Sequence, residues 1–155
     1  MGRLKSNTKG WDRLKKRLVR FDRRSFDVGF FEDKKYGSEN DNLSVAEVAM
    51  INDGGSSTNP PRPFFSVDFK DYADKSFQKK AKKLFVALVL QTNVAYVREL
   101  KSMGAEYSLS LKTFILDYPG SNSDDWAEAK GFNDPLYHTG TMASAVDYRI
   151  TKRNF

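Results

Sequence analysis

The stretch Ala145-Val146-Asp147-Tyr148-Arg149-Ile150-Thr151-Lys152 alternates apolar and polar side chains. Val146, Tyr148 and Ile150 fall on one side, and Asp147, Arg149 and Thr151 on the other. A period of two indicates a strand that buries one face. The segment Ser25 to Phe31 repeats this pattern with Phe26, Val28 and Phe30. The two segments therefore predict a small sheet that carries an apolar face.

Between these strands the apolar residues recur with helical spacing. Ser44 and Glu47 form a candidate capping box at the start of a helix from about Val45 to Asp53, and Gly54-Gly55 ends it. A long helix is predicted from about Tyr72 to Met103, where Gly104 is expected to end it, and a further helix from about Ala105 to Asp117. The sequence thus predicts an α+β fold, in which helices, one of them long and central, pack on a small, mostly antiparallel sheet.

Length and composition limit the classes of protein that fit. The 155 residues suit one domain, and no apolar run approaches the ~18 residues of a membrane span. The charged N-terminus is unlike a secretory signal, so we expect a soluble protein that stays in the cell that makes it. The absence of cysteine excludes disulfides and thiolate chemistry, and one histidine disfavours a histidine-rich metal centre.

The positive charge is concentrated at one end of the chain. Residues 1–24 carry a net charge of +8 and the other 131 residues carry −2, which together give +6. From about Thr8 to Arg24 the spacing predicts an amphipathic helix whose apolar face, Trp11, Leu14, Leu18 and Phe21, packs on the protein. We treat 1–24 as a basic helix and 25–155 as one α+β domain. The candidate basic patch comprises Arg13, Lys16, Arg17, Arg20 and Arg24. Its charge suits contact with DNA or with an acidic partner protein, and the sequence does not decide between the two.

Residues that could carry catalysis or bind metal have simpler structural interpretations. Asp124-Asp125, and Glu39 with Asp41, lie in polar segments typical of solvated loops and helix caps. His138 precedes Thr139-Gly140, but no Gly-x-Ser-x-Gly elbow accompanies it, and Gly54-Gly55 lacks the Gly-Lys-Ser/Thr of a phosphate loop. We therefore predict no enzymatic activity, no cofactor and no metal site.

Several separated segments occur in the order seen in one family. They are Asp27-Val28-Gly29-Phe30-Phe31, Val45-Ala46-Glu47-Val48-Ala49, Ile51-Asn52-Asp53-Gly54, Pro61-Arg62-Pro63-Phe64-Phe65, Lys130-Gly131, Pro135-Leu136, Thr139-Gly140-Thr141-Met142 and Ala145-Val146. From Ser25 to Ile150 the chain resembles neck and tail-completion proteins of tailed bacteriophages, including tail terminators. Such proteins commonly have an acidic residue directly before the Thr-Gly, where this chain has His138.

The resemblance implies a structural virion protein of the neck or tail, assembled in the host cytoplasm. It implies a ring of identical subunits, most commonly a hexamer, that contacts the head-to-tail connector and the tail-tube protein and no membrane. The stiff segment Pro60 to Pro63 and the loops 33–42 and 52–59 are the predicted contact regions. The candidate subunit-contact or anchor residues are Asn52, Arg62, Phe64, Phe65, Thr139 and Gly140. A basic DNA-binding or packaging accessory protein is the alternative.

Overall fold

The structure, a computed structural model, describes residues 8–22, 24–31, 33–38, 41–90 and 92–152, with the backbone alone at 20–22. In chain order its elements are α1 Lys9–Asp22, β1 Arg24–Phe30, α2 Val45–Gly54, α3 Phe64–Tyr72, α4 Gln78–Leu90, α5 Asn93–Leu116, α6 Asp124–Lys130, α7 Thr141–Ala145 and β2 Val146–Lys152. A π-helical turn, Ala73–Phe77, joins α3 to α4. The predicted α+β fold with one long helix is confirmed.

The sheet consists of β1 and β2, which pair antiparallel. Phe30 lies opposite Val146, and Phe26 lies opposite Ile150. The apolar side chains of both strands therefore share one face, as the alternation predicted, and this face packs against the long helix α5. An isolated two-stranded sheet is marginal in water, so its contact with α5 is what makes this one persist.

The helix α2 begins where the capping box was predicted. The Ser44 hydroxyl accepts a hydrogen bond from the backbone N–H of Glu47, and the Glu47 carboxylate accepts one from the backbone N–H of Ser44. Two N–H groups that the first turn leaves without helical partners are thereby satisfied. Val45 and Ala49 are the buried residues of this helix, and they fix it against the core.

The prediction of one helix from Tyr72 to Met103 is wrong. The chain leaves α4 after Leu90 and starts α5 at Asn93, with the hydroxyl of Thr92 accepting a hydrogen bond from Ala95 N at 3.2 Å. Helix α5 then runs antiparallel to α4, and it continues through Gly104, which was expected to end it. A Cβ at Gly104 would lie 2.5 Å from Tyr148 Cδ2. This glycine therefore serves close packing of α5 against β2, and the helix predicted from Ala105 to Asp117 is the second half of α5.

Helix α5 joins two groups of buried residues. The first core cluster comprises Val45, Ala49, Phe64, Leu111, Ile115, Leu136, Met142, Ala143, Ala145 and Val146. The second core cluster comprises Leu84, Ala87, Leu88, Ala95, Tyr96, Leu100 and Met103. The first holds α2, the start of α3, α7 and β2 against the C-terminal half of α5. The second holds the α4–α5 hairpin together.

Candidate functional site

A wide cleft lies between α2, the proline-rich segment and the chain from Ser121 to Met142. Its volume is about 730 Å³. Four of the six candidate contact residues, Asn52, Arg62, Thr139 and Gly140, line this cleft although they lie far apart in the sequence. We call it the Arg62 cleft, and its wall also contains Asn122, Trp126, Lys130 and His138.

The backbone holds Arg62 in place at the end of the proline-rich segment. Its N–H donates to the carbonyl oxygen of Asn52 at 2.8 Å, and its Nη1 lies 3.4 Å from Asn52 Oδ1. Just beyond Pro63, the backbone N–H of Phe65 donates to Asp53 Oδ1 at 2.9 Å, which satisfies an N–H in the first turn of α3. The end of α2 and the start of α3 thus form one rigid corner from which the guanidinium extends into the cleft.

Lys130 brings a second cation to the same cleft. Gly131 takes the left-handed conformation that ends α6, with φ of 78°. The ammonium of Lys130 donates to the carbonyl oxygens of Asp134 and Tyr137, and lies 4.7 Å from the centre of the Phe132 ring. Burial lowers the pKa of Lys130, the charge of Asp134 acts in the opposite direction, and the charge of Arg62 lowers the pKa further. The two cations are therefore close enough to interact.

Asn122 is a buried amide in the wall of the cleft. The residue has 6% of its surface exposed, and its backbone N–H donates to Asn133 Oδ1 at 2.6 Å. Among the described residues, neither Oδ1 nor Nδ2 of Asn122 has a hydrogen-bond partner. A buried polar group without a partner costs about 1–3 kcal/mol. Stable folds retain few such groups, so this amide requires an explanation.

The turn before α7 forms the far side of the cleft. Gly140 has φ of 72°, a left-handed conformation that suits glycine, and its carbonyl accepts from Ser144 N at 2.9 Å. The hydroxyls of Thr139 and Thr141 lie 2.6 Å apart and bond to each other. His138 is exposed beside the ring of Trp126, 6.4 Å between centroids. The described residues that line the cleft include the cations Arg62 and Lys130 and no Asp or Glu.

Phe64 and Phe65 lie outside the cleft and point into the protein. Phe64 is buried in the first core cluster and meets the edge of Phe30, with centroids 6.2 Å apart. Phe65 packs on the same cluster and meets the ring of Tyr107 at 6.4 Å. Both residues therefore anchor the start of α3 to the core. Of the six candidate contact residues, the four that line the cleft are Asn52, Arg62, Thr139 and Gly140.

The predicted packing of the basic helix is wrong for two of its residues. In α1, Trp11 is 57% exposed and Leu18 41% exposed, while Leu14 is partly buried. The ammonium of Lys15 lies 5.5 Å from the centre of the Trp11 ring. One polar contact, from Arg17 Nη1 to the carbonyl oxygen of Val89, ties α1 to the end of α4. The side chain of Phe21 lies outside the described residues.

The residues of the candidate basic patch lie in different parts of the structure. Arg13 and Lys16 are exposed on α1, whereas Arg17 is partly buried against α4. Arg24 belongs to β1, opposite Lys152, so its inclusion in a helical patch is wrong. The side chain of Arg20, and Glu39 in the loop 33–42, lie outside the described residues.

A second cationic surface, which the sequence analysis missed, lies between α4 and α5. A groove of about 480 Å³ is lined by Lys79, Lys82, Lys83 and Arg98, with Glu99 as the one carboxylate among its described lining residues. The spacing of the lysines at i, i+3 and i+4 places them on one helix face and was a signal available in the sequence. We call this surface the lysine groove.

The tip of the α4–α5 hairpin exposes large apolar side chains. Phe85 is 57% exposed, Leu90 75% and Val94 77%. Leu90 and Val94 lie on either side of the break between the two helices, and Phe85 lies little more than one helical turn before Leu90. We call Phe85, Leu90 and Val94 the hairpin tip.

The chain matches no protein-family model, no curated protein and no solved structure in comparisons with each. The described residues contain no helix with the length and apolarity to cross a bilayer. They contain no group of three or more His, Asp or Glu side chains arranged to hold a metal ion. Fold and surface chemistry therefore carry the functional argument.

Proposed function

We propose that this protein is a structural subunit of the neck or tail of a tailed bacteriophage. In this role it assembles with copies of itself into a ring, hexameric by the resemblance, that completes or terminates the tail. The ring joins the tail to the head-to-tail connector. The mechanism is binding without turnover, in which subunits dock as nearly rigid bodies and surface loops contact the partner rings.

The single observation that carries the proposal is the uncovered hairpin tip. Scattered apolar residues are normal on a protein surface, but Phe85, Leu90 and Val94 are grouped at one end of a long hairpin and more than half exposed. Burying a large apolar side chain stabilises by about 1.5–3 kcal/mol, so a neighbouring subunit that covers the tip gains substantially. A ring lets every copy cover the tip of the next without leaving an open end.

The placement of the segments behind the family resemblance supports the same proposal. Those segments come from both halves of the chain, and they converge on the first core cluster through Val45, Phe64, Leu136, Met142 and Val146. The polar residues of the same segments, Asn52, Arg62, Thr139 and Gly140, line the Arg62 cleft. These segments therefore form one spatially continuous unit, which is what a ring subunit with a defined contact surface requires.

The test is the mass of the purified protein in solution, by light scattering coupled to size-exclusion chromatography, with electron microscopy of the peak. We expect a species near six times the 17.7 kDa of one chain. Leu90→Glu places a charge on the hairpin tip, so we expect it to shift the species to the monomer while the helical circular dichroism is unchanged. Thr113→Glu, at an exposed position elsewhere on α5, is the matched control.

One result would contradict the proposed contact surface, and another would contradict the structural role itself. If Leu90→Glu leaves the ring intact, the hairpin tip is not the contact between subunits. A protein that stays monomeric at every concentration, also when mixed with connector and tail-tube proteins, contradicts the structural role itself.

The lysine groove favours a second candidate function, a basic DNA-binding or packaging accessory protein. Lys79, Lys82, Lys83 and Arg98 can neutralise several phosphates, and this makes binding strongly dependent on salt. The double variant Lys82→Gln/Lys83→Gln should weaken binding to duplex DNA and flatten its salt dependence. The control pair is Lys70→Gln/Lys101→Gln, at exposed positions outside the groove.

Truncation separates the contribution of the basic helix from that of the groove. The deletion should cover residues 1–22, because Arg24 pairs with Lys152 in the sheet. If the truncated protein still forms a ring but loses affinity for DNA, then attraction to DNA is secondary to assembly. Tight binding to DNA at high salt by a protein that never assembles supports the accessory role instead.

A further inference from the structure

We propose that the hairpin tip of one subunit docks into an apolar pocket between α2 and α3 of the next subunit. The occupant of the pocket is thus a second copy of this chain, and Leu90 is the side chain that it receives. The inference rests on the proposed function, and it names the surface that covers the hairpin tip in the ring. The contact joins two different surfaces, so the subunits are arranged head to tail.

The pocket lies where α2, the start of α3 and the end of β1 meet. Its volume is about 270 Å³, and its lining is apolar apart from one carboxylate: Phe30, Ala46, Ala49, Met50, Phe64, Phe65 and Asp53. Met50 is the most exposed residue of this lining, with 69% of its surface accessible, and its flexible side chain can adapt to an irregular partner. An apolar cavity of roughly 150 Å³ already holds a benzene molecule, so the pocket has room for one leucine side chain.

Opposite charges flank the two surfaces. Helix α2 carries Glu47 and Asp53 and no lysine or arginine. Helix α4, which ends at the hairpin tip, carries no carboxylate and four lysines: Lys79, Lys80, Lys82 and Lys83. Within the same chain a carboxylate, Glu106, pairs with Lys80 alone among these lysines. The charges therefore favour contact between a tip and the α2 surface, and they disfavour contact between two tips, which would bring the lysines of both copies together.

Helix α1 is a weaker complement for the hairpin tip. It also exposes apolar side chains, Trp11 at 57% and Leu18 at 41%. However, its sequence contains more lysine and arginine than aspartate, so it has the same sign of charge as α4. Like charges that face each other across an interface disfavour the pairing. The acidic α2 surface is therefore the one to which we assign the tip.

The positions of tip and pocket require that they belong to different copies. The tip lies at the start of α5, beside Val94. The pocket residue Phe64 belongs to the same core cluster as Leu111, which lies about 25 Å further along α5. A tip therefore cannot fill the pocket of its own chain. Each copy presents one tip and one pocket, and such contacts pass from copy to copy until the ring closes.

Cysteine cross-linking tests which surfaces meet, and the chain contains no cysteine of its own. A chain with both Leu90→Cys and Met50→Cys is treated with a short bismaleimide, which joins two thiols that lie close together. We expect a ladder of covalent species that ends at the number of subunits in the ring. Leu90→Cys alone and Met50→Cys alone, and the matched control Leu90→Cys/Thr113→Cys, should give at least tenfold less covalent dimer.

Charged variants of the two surfaces provide a second test. Leu90→Glu disrupts the tip and leaves the pocket intact, and Met50→Glu does the reverse. Both residues are exposed, so neither substitution should change the helical circular dichroism. Each variant alone should be a monomer by light scattering. An equimolar mixture should give a species of twice the 17.7 kDa of one chain, because one intact tip meets one intact pocket and the succession of contacts stops there.

The outcomes separate failure of this contact from failure of the proposed function. A ring that forms without the cross-link between positions 90 and 50, or that Met50→Glu leaves intact, overturns the docking of the tip in the pocket but not the ring. Strong cross-linking of Leu90→Cys alone shows instead that tips meet tips. If Met50→Glu keeps the ring but loses binding of the connector or tail-tube protein, the pocket belongs to that partner. A protein that is monomeric at every concentration and gives no cross-link contradicts both proposals.

Discussion

Substitution of Gly104 by alanine tests how the long helix packs against the sheet. Alanine is favoured over glycine inside a helix by about 1 kcal/mol, so Gly104→Ala should stabilise α5 if nothing else lies nearby. The new Cβ would lie 2.5 Å from Cδ2, 3.0 Å from Cγ and 3.3 Å from Cβ of Tyr148. Ordinary carbon contacts measure about 3.5–4.0 Å. An overlap of about 1 Å forces α5 and β2 apart.

The magnitude follows from these two opposing contributions. Overpacking of this kind costs about 1–3 kcal/mol, and the upper end applies because the overlapped atoms lie near the root of the Tyr148 side chain. After subtraction of about 1 kcal/mol for helix propensity, we expect a net destabilisation of about 2 kcal/mol. At about 2–4 °C per kcal/mol for a chain of this size, the melting temperature should fall by roughly 4–8 °C.

The assay is urea unfolding followed by circular dichroism, performed as a double-mutant cycle at one protein concentration. In a Tyr148→Ala background the space is free, so Gly104→Ala should stabilise by about 1 kcal/mol, which gives a coupling energy of about 3 kcal/mol. Gly54→Ala is the control and should not destabilise, because no described atom outside its own helix and chain neighbours lies within 4 Å of the new Cβ. If Gly104→Ala stabilises both backgrounds equally, Tyr148 does not cover α5 at this point and the packing described here is wrong.

Three further predictions concern the cap of α2 and a buried carboxyl. Ser44→Ala should destabilise the protein by about 0.5–2 kcal/mol in thermal or urea unfolding, because it removes the N-cap of α2. The hydrogen bonds from Ser44 lower the pKa of Glu47. The ionised Glu47 therefore stabilises the folded protein above the unfolded pKa near 4.5, and this stabilisation is lost as the pH falls through the folded pKa. Glu47→Gln should accordingly flatten the acid limb of a plot of unfolding free energy against pH. Burial raises the pKa of Asp68, and the hydrogen bond from Ser110 opposes this shift with a smaller effect. Ionisation of Asp68 therefore destabilises the folded protein increasingly as the pH rises above the unfolded pKa near 3.8. Asp68→Asn should therefore gain stability relative to the unmodified protein between about pH 4 and pH 7, and an unchanged difference across that range would contradict the burial of this carboxyl.

Local patterns in the sequence were enough to predict the elements whose causes are local. The alternation of Phe26, Val28 and Phe30 predicted β1, and the pair Ser44 and Glu47 predicted the start of α2, because each depends on neighbours within a few residues. The long helix was misjudged for the opposite reason. Gly104 resembles a helix end until Tyr148, distant in the chain, is seen to occupy the space above it.

The candidate site shows the same division between local and long-range information. Asn52, Arg62, Thr139 and Gly140 were selected through the family resemblance, and the structure brings these four together. Asn122 was not selected, because an asparagine in a Ser/Asp-rich segment is typical of a loop and its burial depends on the chain folding over it. The exposure of Trp11 was missed because helical spacing gives the apolar face of α1 without saying whether another surface covers it.

The pairing of β1 with β2 has a consequence for biosynthesis. Phe30 meets Val146 and Arg24 meets Lys152, so on the order of 120 residues must leave the ribosome before the hydrogen bonds of the sheet can form. At roughly 5–20 residues per second, β1 waits about 6–24 s for its complement. During that interval its backbone groups and its phenylalanines are available to other nascent chains. Slow translation lengthens this interval, so it should yield more insoluble material than fast translation does.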